Sequence, residues 1–453
     1  MFVARCAVVL AALFLAACSP VQEATLDNGL RIIVREDHRA PVVVSQIWYK
    51  VGSSDEPEGI TGISHVLEHM MFKGTSRHPA GEFSRIIAEN GGRENAFTGT
   101  DYTSYFQQLE NSRLAIAFEL EADRMQNLLL NEQDFAKEVR VVMEERRLRT
   151  DDQPEALAYE RFMHTAFATH SYRHPVIGWM PDLQKLTVQD VRAWYQRWYV
   201  PNNATLVVVG DVNPREVIAL ARRYFGPVAA HPLKRLPVPV EPEQKGTRRS
   251  TLQEPAEVPS LLMGYHVPAF GGHANDWEPY ALLVLNGVLD GGDSARFERD
   301  LVRTREVASS IDSGYSPTAR YPVLFVVSAV PSRQHTPAEL EAAIRAEIKQ
   351  IRDQPVTSEE LERVKAQVAA SNVFARDSMF YQAMQMGMLE TVGVDWRLLE
   401  HYVERVRAVS AGQVQAVARK YLTDSNLTVT VLEPQPGKSR PRSRAPVGGD
   451  YVR

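Results

Sequence analysis

Cysteine is almost missing from this chain: of 453 residues, only Cys6 and Cys18 are cysteines. Both fall within the first eighteen positions, so the remainder can form no internal disulfide and its fold must rest on a hydrophobic core. At this length that is feasible, and two or more domains are expected. Positive charge is not in surplus either. The formal net charge is −5, which removes the electrostatic footing for a nucleic-acid partner, and none is expected. A long apolar run is found only at the start, where Arg5 precedes an almost wholly apolar stretch from Ala7 to Leu15. It is too short to span a bilayer as a helix, and residues 1–18 have the shape of an export signal.

What is present centres on Ser64-His65-Val66-Leu67-Glu68-His69-Met70. On an α-helix, residues four apart lie one above the other, so His65 and His69 project the same way and can share one cation. Glu68 falls on the same face, placed to hold a water beside the metal and take its proton. With 12 histidines in the chain, the motif arises by chance in roughly one such sequence in fifty, so a third ligand is needed. Glu145 is the candidate: a helical pattern sets Glu138 and Glu145 two turns apart on one stripe. Glu144 reads as part of a solvated helix face.

These residues resemble the pitrilysin/insulinase family of zinc peptidases, in its short two-domain branch. The inverted His-x-x-Glu-His motif is followed, 76 positions after its second histidine, by a glutamate within a Glu-x-x-x-x-x-x-Glu helix. Gly91 to Thr98 and Asp101 to Tyr105 match that family's strand beside the metal. The resemblance implies a zinc-dependent endopeptidase with one Zn2+ per chain, held by His65, His69 and Glu145. It makes Glu68 the general base and Glu138 a carboxylate that orients a ligand. A peptide or unfolded protein segment would lie extended along Asn95, Ala96, Phe97 and Thr98. The competing class, a non-catalytic processing or assembly subunit, is opposed by the intact His65, Glu68, His69 and Glu145.

The end of the export segment, Leu15-Ala16-Ala17-Cys18, resembles a bacterial lipoprotein signal, with Cys18 lipidated as the new N-terminus. By that analogy Ser19, in place of an aspartate, favours the outer membrane, so a periplasmic, lipid-anchored protein is expected.

Along the chain, Asn28-Gly29 marks a tight turn between strands. Strands are expected at Arg31–Arg35, Pro41–Val51 and Tyr102–Leu109. Helices are expected at Glu82–Asn90, Ser112–Leu130, Glu132–Arg149 and Leu157–Phe167, with Thr61 as N-cap of the metal helix. His170 and His174 are four apart, but Pro175 disfavours helix at His174, so they are not read as a metal pair.

A repeat organises the rest. Leu186 to Trp194 leads to Asn203–Val209, and 223 residues later Val409 to Val417 leads to Asn426–Val431. Each copy is a capped helix followed by a β-rich strand. The fold class is therefore α+β: two homologous-looking α/β-sandwich domains, each a mixed sheet with helices packed on it, joined by a Pro-rich linker. The expected bounds are a signal at 1–18, a catalytic domain at 22–228, a linker at 229–255, a substrate-binding-type domain at 256–436 and a disordered tail at 437–453. Lys234, Arg235, Lys245, Arg248 and Arg249 read as solvating charge. In the second domain, Asp276–Gly287 offers no paired histidines and should bind no zinc. Leu301-Val302-Arg303 resembles the family segment whose arginine helps hold substrate, but Ser309 stands where a tyrosine is expected, and Tyr315 is not given its role. Family members enclose substrate with four such domains, so a homodimer, or a heterodimer with a sister subunit, is implied.

Overall fold

Asn28-Gly29 turns the chain between β1 (Val21–Thr25) and β2 (Arg31–Glu36), which pair antiparallel. The computed structural model describes residues 21–235, 237, 239–271 and 276–435; the expected signal at 1–18 and tail at 437–453 lie outside them. With β3 (Val42–Tyr49), β4 (Arg93–Thr98), β5 (Thr103–Glu110) and β6 (Ala204–Gly210), the first sheet runs β1-β2-β6-β3-β5-β4. Every residue of β6 is buried, as suits a central strand rich in valine. Over one face lie α1 (Ile63–Met70), α2 (Glu82–Glu89), α3 (Leu114–Asn127), α4 (Glu132–Arg146) and the helix Val188–Trp198, whose apolar sides make one core with β2, β3 and β5.

The second sheet consists of β7 (Arg248–Glu254), β8 (Ser260–Val267), β9 (Ala308–Gly314), β10 (Val323–Pro331) and β11 (Leu427–Pro434), in the order β7-β11-β8-β10-β9. It copies the first sheet without its outermost strand. β2 runs parallel to β6 and β7 parallel to β11; β6 is antiparallel to β3 as β11 is to β8. The repeat read from the sequence is the core of this likeness. Helices Val188–Trp198 and Ala411–Tyr421 each begin in a capping box, Thr187 with Asp190 and Ser410 with Gln413, and each leads to an interior strand of its sheet.

The linker is shorter than expected. Residues 248–254, inside the predicted 229–255, form β7 and hydrogen-bond to β11 along its length. Arg-Arg-Ser-Thr-Leu-Gln-Glu has no apolar run to betray a strand, because as an edge strand it alternates between exposed and half-buried. Three of the five basic residues are paired rather than merely solvating: Arg235 with Asp55, Arg248 with Glu241, and Arg249 with Glu341.

The two domains exchange helices. α5 (Pro154–Ala166), from the first half, lies on the second sheet, where Ala158, Phe162 and Ala166 meet Leu262, Leu324 and Leu432. Met379–Thr391, from the second half, lies on the far face of the first sheet, where Ala383 and Met386 meet Val44, Trp48 and Val207. Each contact seats a large ring against a glycine. A Cβ on Gly387 would stand 2.1 Å from Trp48 Nε1, and one on Gly264 would stand 2.4 Å from Phe162 Cζ, so neither position has room for a side chain.

Candidate metal centre

α1 forms because Ile63, Val66, Leu67 and Met70 recur on one buried side. The opposite side carries His65, Glu68 and His69. Its N-terminus differs from expectation. Thr61 is not the cap: its hydroxyl donates to Asp182 at 2.6 Å. Gly62 occupies the cap position with φ 85°, and the buried Glu56 accepts from the amides of Gly62 (2.7 Å) and Ser64 (2.9 Å). A carboxylate from the preceding loop thus satisfies two of the amides left over at the helix start.

α4 is capped by Asn131, whose side chain accepts from Asp134 N, and buries Phe135 and Val142. It lies beside α1 and presents Glu138 and Glu145. His69 sits between them, with Nδ1 3.3 Å from Glu138 Oε2 and Nε2 3.6 Å from Glu145 Oε2. The His65 and His69 rings meet edge to face, 4.9 Å between centroids. One ligand atom from each of His65, His69 and Glu145 lies within 4.8 Å of the others. Two imidazoles and one carboxylate at that separation form the donor set of a three-ligand zinc site that keeps a fourth position open, so these residues fit the ion.

The electrostatics agree. Burial alone would lower the His69 pKa, but the Glu138 and Glu145 carboxylates overcome it and raise the imidazole to about 9. Glu145 is penalised by burial, yet its bond to His69 and the nearby His65 bring it down to about 2. Glu138 is lowered chiefly by His69, then by Lys73, whose Nζ is 2.7 Å away. A pocket that holds two carboxylates ionised around imidazoles is built for added positive charge. In the ion-free protein a proton on His69 supplies it, and a metal would displace that proton. With Nδ1 facing Glu138, His69 Nε2 is the nitrogen that would hold a metal.

Residues not picked out from the sequence complete the site. Arg149 Nη1 meets Glu145 Oε1 at 2.8 Å, and Lys73 meets Glu138. Each follows its site residue, Glu145 or His69, by four positions, a spacing that could have disclosed them. The hydroxyl of Thr98 donates to Glu68 Oε2 at 2.5 Å, so this residue of β4 orients Glu68 as well as belonging to the expected substrate strand. Glu144, next to Glu145, is exposed and pairs with Arg147 on the surface.

β4 is the edge of its sheet: it pairs with β5 on one side, and among the described residues no strand covers the other. Asn95, Ala96, Phe97 and Thr98 all line the cleft that holds the metal residues. Within it Asn95 uses its side-chain oxygen on the amide of Ala96, at 2.8 Å, and Phe97 packs edge-on against Trp48. His174 also lines the cleft, with Nε2 3.1 Å from Glu58, and His170 accepts from Tyr172 N; neither belongs to the metal cluster.

The structure does not bring Arg303 to this site. It lies on an irregular helical turn, Phe297–Thr304, half exposed, and bonds Glu298 at 2.9 Å and Asp293 at 3.2 Å. Ser309 lies on β9, and the Tyr315 hydroxyl donates to Pro268 O at 2.5 Å. In the second domain, the helix Glu278–Leu289 stands where α1 stands in the first, and among the described residues it joins no cluster of metal donors; its Glu278 is taken by Lys420 and Tyr421.

Comparison with known proteins now bears on this site. A family model described as insulinase (peptidase family M16) matches residues 31–178, and one described as peptidase M16 inactive domain matches 185–368. The zinc protease PqqE of Helicobacter pylori is 32% identical over 421 residues, covering 91% of this chain and 93% of that one. The crystal structure of a protease from Helicobacter pylori superposes with a TM-score of 0.86 at 31% identity, covering 91% of this chain and 99% of the other. The periplasmic protease PqqL of Escherichia coli shares the fold, with a TM-score of 0.76 at 19% identity; the match covers 92% of this chain but 48% of that one. The division at residues 178–185 falls between the half that carries the donor cluster and the half in which no such cluster is found among the described residues. This chain belongs to the M16 family of peptidases, in a two-domain form whose first domain carries the metal residues.

Proposed function

We propose that this protein is a zinc endopeptidase that cleaves peptides or unfolded protein segments. The observation that carries this reading is the placement of His65, His69 and Glu145 within 4.8 Å of one another, beside a base-type glutamate and an open strand edge. One zinc per chain, when bound, supplies a Lewis acid that lowers the pKa of water toward neutrality and polarises a carbonyl. Glu68, held by the Thr98 hydroxyl, takes the proton from the attacking water and delivers it to the departing amine. Glu138 fixes the ring of His69, and Arg149 fixes the carboxylate of Glu145. The unpaired edge of β4 takes substrate as an added strand, so backbone shape counts for more than side-chain identity.

We place the protein in the cell envelope, anchored by lipid on Cys18 at the outer membrane, and its substrate chamber at the meeting of two chains. The second part rests on Arg303, which is tied to Glu298 and Asp293 and absent from the cleft of its own chain. A second copy, or a sister subunit bearing the tyrosine that Ser309 replaces, closes over the cleft.

The test is metal analysis together with hydrolysis of an unstructured peptide by the purified chain, run with and without a chelator. Zinc at one per chain with chelator-sensitive cleavage is expected. A chain that holds zinc but cleaves nothing, alone or with a co-expressed sister subunit, refutes the reading. Membrane fractionation of Cys18→Ala tests the anchor, and unchanged fractionation refutes it.

A further inference from the structure

The turn that joins β4 to β5, residues 99–102, ends the strand that carries Thr98, and it is held from two directions. From its own domain, the loop after β3 lies against it: Ser54 N donates to Thr100 O at 2.8 Å, and a Cβ on Gly52 would stand 2.4 Å from Gly99 O. From the second domain comes Arg320, on the connection between β9 and β10.

Asp101, in this turn, is buried and gathers three donors: Ser54 Oγ at 2.9 Å on one oxygen, and Tyr172 OH at 2.6 Å and Arg320 N at 3.1 Å on the other. The Arg320 guanidinium reaches Asp55 with Nη1 (2.9 and 3.1 Å) and the carbonyl of Asp101 with Nη2. Arg320, Asp55 and Asp101 all have side chains nearly out of solvent. A buried, forked arginine between two carboxylates is costly to break, because removing it takes the nearest cation from two acids that are nearly out of water. No metal donor takes part in this cluster, so its strength serves something other than holding the ion.

We propose that Arg320 is a positioning residue for catalysis: from the second domain it clamps the 99–102 turn, and through it β4, so that the Thr98 hydroxyl meets Glu68 and the strand edge stays straight for substrate. This proposal rests on the peptidase reading given above. It assigns the second domain, in which the described residues form no metal-donor cluster, a direct part in shaping the site. Loss of the clamp leaves the ligands in place but loosens the template, so substrate binding suffers most.

Arg235 supplies the control. It also bonds Asp55, at 3.2 Å, and the Lys50 carbonyl, but does not reach the turn. Two readouts test the proposal on the full-length, zinc-loaded protein. The first, amide hydrogen exchange, needs no substrate: in Arg320→Ala, residues 98–103 should exchange at least about tenfold faster, and in Arg235→Ala at the native rate. The second is the kinetic split on an unstructured peptide: Arg320→Ala should raise KM about tenfold with zinc content unchanged and kcat within about threefold. Arg320→Lys keeps the charge and loses the fork, so it should fall between, and it serves for both readouts if Arg320→Ala does not fold. Unchanged exchange at 98–103 in the arginine variant, or an equal effect in Arg235→Ala, overturns the proposal. Faster exchange with no peptide cleavage by the wild-type protein, alone or with a co-expressed sister subunit, leaves the clamp standing and removes the peptidase reading instead.

Discussion

The two halves of this molecule share a sheet order and differ in what hangs on it. In the first, α1 and α4 bring two histidines and three glutamates to one cleft; in the second, the helix Glu278–Leu289 turns Tyr280, Ala281, Val284 and Leu285 into a core. Their meeting surfaces are reversed as well. In one, the sheet offers the bulky residue, Trp48, and the incoming helix the glycine; in the other the sheet offers Gly264 and the helix Phe162. The sheet is specified by buried apolar strands and capping boxes, which tolerate many sequences. The chemistry hangs on four side chains, which tolerate almost none. A duplicated fold can therefore lose its reaction in one copy and keep its shape.

The comparison breaks most completely at Glu68. Glu68→Gln should lower kcat about a thousandfold while zinc stays bound, giving the first half the inertness of the second without altering its fold. His65→Ala or Glu145→Ala should lose the metal too, as metal analysis of the purified variants would show. A Glu68→Gln variant with native turnover would mean another group is the base.

The reversed glycine contacts come next. Gly387→Ala and Gly264→Ala should each destabilise by roughly 1–3 kcal/mol through overpacking, measured by denaturant midpoints. Trp48→Phe should recover part of the loss only for Gly387→Ala, and Phe162→Leu only for Gly264→Ala. Recovery across the pairs would show that the two contacts are not separate.

A smaller effect separates the halves by pH. In the chelator-treated protein, His69 has its pKa raised to about 9 by Glu138 and Glu145 against the pull of burial, whereas an unfolded histidine titrates near 6.5. A raised pKa gives stability that is complete below about 6.5 and lost as pH rises through 9. The metal-free protein should weaken over that window, and Glu138→Gln should flatten the dependence. A curve that is flat from pH 6 to 10 in the wild type would remove His69 as the site of the bound proton.

Smallest of all is Glu144→Gln. This neighbour of the ligand is exposed and pairs with Arg147 on the surface, so its loss should cost under about 0.5 kcal/mol and leave zinc content unchanged. A loss of metal would mean the ligand had been misassigned by one residue.

Much of this was legible before the structure. His65, Glu68 and His69 declare themselves through helical spacing, a local property, Glu145 through its helical pattern together with the family resemblance, and the 223-residue offset survives because capped helices and buried strands constrain sequence at every turn. What stayed hidden depends on partners far along the chain. Glu56 caps α1 from a loop where no cap motif exists. β7 is polar because an edge strand needs no apolar face. Arg303 looks like its family counterpart in sequence, yet its position depends on how the Phe297–Thr304 turn packs. Nothing around Arg320 marks it, since Asp55 and Asp101 lie more than two hundred residues away.

The exchanged helices carry a mechanical consequence. The linker cannot serve as a hinge, since swinging the halves apart would strip α5 from the second sheet and Met379–Thr391 from the first. A chain cut between 239 and 247 should stay together in native buffer and separate only when unfolded. If two chains enclose the cleft, as proposed above, a long polypeptide enters only when whole molecules part, and its admission then responds to protein concentration, not to the length of the connecting segment.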